Sequence, residues 1–251
     1  MTGVLADPVE ETRRILDGAQ VAGIPVRAIG GIGVALRAPS IRALQPPRTY
    51  HDIDLVGAAP RGPIEALLTD QGYVPSRRFN TLNGAERLLF HDATGRRIDV
   101  FLDTLRMCHE LPFRDRLALD PWTLPLADLL LTKLQIVALT DRDAQDAAAL
   151  LADHELTEDD GGIGLRRIRA VCANHWGWWR TVDDNLRRLV ERWPADAAAF
   201  SPDARAIIGT AIIRADSLRE RLAIAPKSVA WQARAIVGER VRWYEEPEEI
   251  R

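Results

Sequence analysis

The chain has 251 residues, of which 47% are hydrophobic and 27% charged, and its formal net charge is −3. That composition is ordinary for a soluble globular protein, and the length suits a modest α/β unit followed by a helical one. The small negative charge excludes a global electrostatic drive towards nucleic acid or an anionic membrane, although a local basic patch stays open.

Lys133 and Lys227 are the only lysines, so arginine supplies the rest of the positive charge. Cys108 and Cys172 are the only cysteines and lie in no metal-ligand spacing, which points to a reduced, cytoplasmic setting. The first eight residues carry neither a basic start nor an apolar run, so no signal peptide is expected. The longest apolar stretch, 124–139, is broken by Asp128, Lys133 and Gln135, which excludes a transmembrane helix there.

In chain order, 9–22 reads as a helix closed by Gly23, and 24–29 as a buried strand that ends abruptly at Gly30-Gly31. A short helix over 32–36 is ended by Pro39, and 40–49 is a loop. Residues 51–56 alternate as a strand. Residues 63–71 form a helix with Pro63 in its first turn and Gly72 past its end. The runs 87–90 and 97–102 flank the turn Asp92-Ala93-Thr94-Gly95 and read as a hairpin. Past Pro121 the pattern turns helical, with candidates at 126–139, 142–153, 165–175, 181–192, 203–222 and 227–243. The expected class is α+β, a mixed sheet flanked by helices over 1–120 and a helical domain over 121–251. The acidic tail 245–249 is expected to be solvated.

Three pieces of this pattern carry chemistry. Gly30-Gly31 stands between a strand and a helix, where the backbone can approach a phosphate and the helix start offers N–H groups, though ordinary tight turns use the same pair. His51-Asp52-Ile53-Asp54-Leu55 sets Asp52 and Asp54 on one strand face. Two carboxylates about 4 Å apart repel by roughly 4 kcal/mol at an effective dielectric near 20, and a hard divalent cation offsets this. A solvated edge strand with two surface acids is the competing reading. In Arg97-Ile98-Asp99-Val100-Phe101-Leu102, Asp99 faces away from Ile98, Val100 and Leu102; if the two strands are neighbours it reaches the same place. Asp103 lies further on as a substitute.

The ordered set of strand, Gly-Gly turn, short helix, Asp-x-Asp strand and later single-Asp strand resembles the DNA polymerase β-like nucleotidyltransferase superfamily. The likeness is to its minimal bacterial branches, the antibiotic nucleotidyltransferases and the abortive-infection toxin type, and it covers about residues 20–150. It implies a nucleotidyltransferase-like fold in which Asp52, Asp54 and Asp99 are catalytic residues and ligands of one or two Mg²⁺ ions. Gly30 and Gly31 would seat the NTP. Asp99 would serve as ligand and base. An NMP would pass from the NTP to a hydroxyl on a small molecule or a tRNA end, with an antitoxin protein as a further partner of toxin-type members. Many relatives carry a serine after the glycine pair; here the stretch is Gly30-Gly31-Ile32-Gly33, and Arg48 or Thr49 would replace that hydroxyl. A catalytically weak nucleotide-binding or scaffold protein of the same fold is the alternative.

Lys133 falls within the apolar stripe Leu126, Leu129, Leu130, Leu134 and Val137. A cation there needs an anion or a route to water. A nucleotide phosphate is one partner, and the resemblance of Lys133 and Asp141-Arg142-Asp143…Asp146 to the toxin-type segment points the same way. A structural ion pair, with Asp99 or Asp103, is the other reading. Asp143 and Asp146 are expected on a solvated helix face. Trp176, Trp178, Trp179 and Trp193 are expected in core packing, and Arg77-Arg78 and Arg96-Arg97 on a solvated surface.

Overall fold

A computed structural model describes residues 3–192 and 200–246. The class is α+β, a five-stranded mixed sheet with helices around it and a helix-rich remainder. The chain forms two compact units. One comprises Met1–Arg37, Thr49–Leu105 and Glu110–Pro125; the other comprises Ala38–Arg48, Arg106–His109 and Leu126–Arg251. The division expected near residue 120 therefore differs at two places, since 38–48 and 106–109 group with the helical unit.

The first unit opens with α1 (Pro8–Val21), started by the Asp7 carboxylate, which accepts from Val9 N and Glu10 N at 2.9 Å. Then follow β1 (Val26–Ala28), α2 (Gly30–Arg37), β2 (Asp52–Gly57), α3 (Gly62–Asp70), β3 (Val74–Pro75), α4 (Arg77–Asn83), β4 (Arg87–His91) and β5 (Arg97–Leu102). Sheet order is β1-β2-β5-β4-β3. β2 and β5 run parallel, and the β1–β2 and β4–β5 pairs are antiparallel. Because side chains alternate along a strand, one sheet face collects Ile53, Leu55, Leu88, Phe90, Ile98, Val100 and Leu102. That face is covered by Ile15, Leu16 and Ala19 of α1 and by Ile64, Leu67 and Leu68 of α3, all in one buried cluster. Alternation leaves the opposite face to Asp52, Asp54, Arg87, Arg97 and Asp99, with Val56, Leu89 and Phe101 among them.

Helix α4 falls where no element was expected. Its sequence, Arg77-Arg78-Phe79-Asn80-Thr81-Leu82-Asn83, has no clear apolar period. Buried Asn80 anchors it instead, its side-chain oxygen accepting from Leu89 N at 2.8 Å and its carbonyl from Arg61.

In the second unit, α5 (Leu126–Leu134), α6 (Asp141–Asp153), α7 (Leu165–Asn174), α8 (Trp176–Arg192) and α9 (Pro202–Ile224) carry the core, and α10 (Val229–Val237) has no buried residue. The helix expected over 126–139 stops at Leu134. Asn185 Nδ2 donates to the carbonyls of Leu134 and Ile136 at 2.8 Å, satisfying α5's end, and Thr140 then caps a new helix by accepting from Asp143 N. Trp176 and Trp178 are buried, as core packing requires, and α8 begins five residues before its expected start. Two short strands, Leu156–Thr157 and Ile163–Gly164, pair in parallel in a stretch that carried no strand signal. Trp193 and residues 247–249 of the acidic tail lie outside the described residues.

Candidate functional site

The charged face of the sheet brings the three aspartates together. β2 and β5 pair with Asp54 opposite Asp99 and Asp52 opposite Arg97, so all four side chains share a face. Asp99 therefore lies beside the Asp-x-Asp pair on the same side of the sheet. It is almost fully buried, whereas the Asp52 side chain is 46% exposed.

Gly30 is fitted to this face. The β1–β2 pairing continues as Ile29 N donates to Asp54 O at 3.0 Å, which brings the turn against the strand. Gly30 then takes φ +64, in the left-handed region that favours glycine. A Cβ there would lie 2.3 Å from Asp54 Oδ2, so the carboxylate occupies the space that the missing side chain leaves. The first intrahelical bond of α2 is Gly33 N to Ile29 O at 2.9 Å. The N–H groups of Gly30, Gly31 and Ile32 thus belong to the helix's first turn, where no intrahelical acceptor exists.

The sequence did not single out the cations on this face. Arg87 donates from Nε to Asp99 Oδ1 at 2.9 Å, with a second nitrogen at 2.8 Å from the same oxygen. Its guanidinium carbon stands 4.7 Å from the centroid of the Phe101 ring and 6.0 Å from that of Phe79. Arg97 spans two aspartates, with Nε 3.0 Å from Asp99 Oδ2 and a terminal nitrogen donating to Asp52 Oδ2 at 3.4 Å. Arg97 had been expected on a solvated surface. The signal available for it was spacing, since Arg97 and Asp99 are two apart on one strand and must share a face. Arg87 joins them only through the β4–β5 register. Among the described residues, no group of three or more His, Cys, Asp or Glu side chains forms a metal-holding cluster. Asp99 itself is ion-paired with two arginines. Asp103 is placed differently again: its carboxylate accepts from Ala59 N and pairs with Arg114.

The remaining expected site residues are divided between the two units. Thr49 belongs to the first unit and is exposed. Arg48 and Lys133 belong to the second. Arg48 grips Asp146 with two hydrogen bonds of 3.0 Å, and Lys133 Nζ lies 2.9 Å from Asp146 and 3.2 Å from Asp143. Burial by itself lowers the Lys133 pKa, but the Asp146 and Asp143 carboxylates outweigh it and the pKa is raised. Lys133's ion-pair partners are Asp143 and Asp146 rather than Asp99 or Asp103. Asp146 is fully buried, not on a solvated face, because α6 is enclosed from Ala144 through Leu151.

No protein-family model matches the chain, and no curated protein matches it. Among solved structures, the crystal structure of JHP933 from Helicobacter pylori is similar over 92% of this chain and 96% of its own, at 10% identity and a TM-score of 0.37. A likeness that slight carries no argument. Among the described residues no helix is long and apolar enough to cross a membrane. Cys108 and Cys172 are both buried free thiols.

Proposed function

We propose that this protein is a divalent-metal-dependent nucleotidyltransferase, working in a reduced cytoplasmic setting, that moves an NMP from an NTP to an acceptor hydroxyl on a small molecule or an RNA such as a tRNA end. The observation that carries the reading is the register that sets Asp54 beside Asp99 while Gly30 packs against the Asp54 carboxylate. Two features support a fit to Mg²⁺: the hard oxygen donors of Asp52 and Asp54, and a guanidinium that already neutralises Asp52 where a cation would do so. Asp52 and Asp54 would hold the ion, which supplies charge neutralisation to the triphosphate. Gly30, Gly31 and Ile32 present first-turn N–H groups to phosphate oxygens. The acceptor oxygen bonds to the α-phosphorus, the bond to the β-phosphate oxygen breaks, and pyrophosphate leaves. The hydroxyl proton passes to a carboxylate of the face. Asp99 anchors Arg87 and Arg97 beside it. An antitoxin partner belongs to the same proposal as an extension of the toxin-type resemblance.

A second reading, a nucleotide-binding or scaffold protein with little turnover, is favoured by one observation: Asp99 is neutralised twice over by arginine. Incubation with each α-labelled NTP, Mg²⁺ and either total RNA or a panel of hydroxyl compounds separates the two. Label transfer that is lost in Asp52→Asn and Asp54→Asn supports the enzyme. NTP binding with no transfer supports the second reading, and transfer that survives both substitutions removes the assigned site.

A further inference from the structure

Arg97 does something in this site that the transfer reading does not require. Its guanidinium bridges Asp52, on one strand, and Asp99, on the next, from a side chain that is 36% exposed. Arg87 differs: it meets Asp99 alone and is confined against Phe101. Asp99 therefore keeps an arginine whatever happens to Arg97, whereas the Asp52–Asp99 link depends on Arg97 entirely.

We propose that Arg97 is an internal counter-cation competing with the divalent metal for Asp52, so that the site takes up metal more readily together with triphosphate than alone. The inference rests on the nucleotidyltransferase reading. A bare divalent ion entering at Asp52 and Asp54 must break the Arg97–Asp52 contact and leave a guanidinium beside a like charge. A metal that arrives carrying a triphosphate brings the anion that the displaced guanidinium needs, because arginine pairs well with phosphate oxygens. The metal and the polyphosphate thus favour each other's binding through one side chain, a reciprocal coupling between two ligands. The device keeps the acidic face neutral when no substrate is present.

The test uses the full-length protein and Mn²⁺, with binding read by electron paramagnetic resonance and water-proton relaxation, without reference to activity. Arg97→Gln is expected to tighten Mn²⁺ alone by about tenfold or more, and Arg87→Gln by no more than about threefold, since Arg87 does not touch Asp52. Wild type is expected to bind the Mn²⁺–tripolyphosphate complex better than Mn²⁺ alone, and R97Q to lose most of that preference. Circular dichroism confirms that each variant is folded, and Arg97→Lys, which keeps the charge, is expected to restore part of the preference. Unchanged Mn²⁺ affinity in R97Q, or equal gains in R97Q and R87Q, would overturn the inference. Asp52→Asn separates this from the underlying reading. If that substitution leaves Mn²⁺ binding intact, the metal site itself is wrong; if it abolishes binding while R97Q changes nothing, only the role of Arg97 falls.

Discussion

Substituting Gly30 by alanine tests whether the turn and the carboxylate are built for each other. At φ +64 a non-glycine residue bears a backbone cost of roughly 1–2 kcal/mol. The new Cβ would sit 2.3 Å from Asp54 Oδ2, so Asp54 must leave its rotamer at a further cost of about 0.5–1.5 kcal/mol. The lower entropy of the unfolded alanine chain returns roughly 0.4–1 kcal/mol. The net loss is about 2 kcal/mol, or roughly 4–8 °C in Tm for a chain of this size. Differential scanning calorimetry with Gly30→Ala, Asp54→Ala and the double variant completes a cycle. In the Asp54→Ala background the same substitution should cost about 1 kcal/mol less, because only the backbone strain is left. Equal costs in the two backgrounds would show that Gly30 does not seat the Asp54 carboxylate, and the argument from the glycine turn would fail.

Asp146→Asn should destabilise the protein by about 3–5 kcal/mol in urea titration, because it leaves Lys133 and Arg48 buried without their shared anion. Asp143→Asn, at the more exposed end of the network, should cost under about 1 kcal/mol. His109 is held at a pKa of about 4, chiefly by burial and then by the charge of His175, against an ordinary 6.5. Between those values the unfolded chain binds the extra proton and the folded one does not, so stability falls as pH drops from about 6.5 towards 4, by about 2–3 kcal/mol in all. Urea midpoints measured across that window in wild type and His109→Gln should show the slope flattening in the variant. Tyr73→Phe, which removes the 2.6 Å hydrogen bond to the buried Glu11 carboxylate, should cost about 1–3 kcal/mol by the same assay.

What could be read from sequence was whatever depended on neighbours along the chain. The Asp52-Ile53-Asp54 alternation fixes a face because a strand has period two, and Gly30-Gly31 after an apolar run marks a tight turn wherever it occurs. The position of Asp99 beside Asp54 needed a parallel pairing that no local signal states, although the alternation of Ile98, Val100 and Leu102 already fixed its direction relative to the core. Arg87 was missed because it reaches Asp99 only through cross-strand register; Arg97 shares a strand face with Asp99, but whether that face is solvated or holds a buried aspartate is set by the strands beside it. Asp146 misled for the reason that α6 is enclosed on more than one side. Its alanines mark one buried face, while burial of Gln145 and Asp146 depends on packing against elements distant in sequence. The short helix over Arg77–Asn83 depends on one asparagine reaching the next strand, a contact with no periodic signature.

Anomalous diffraction from crystals soaked with Mn²⁺ and inorganic tripolyphosphate tests the proposed centre most directly. A peak about 2.1–2.2 Å from oxygens of both Asp52 and Asp54, with phosphate density against the first turn of α2, is the predicted result. A peak elsewhere, or polyphosphate bound without metal at Asp52 and Asp54, would contradict it.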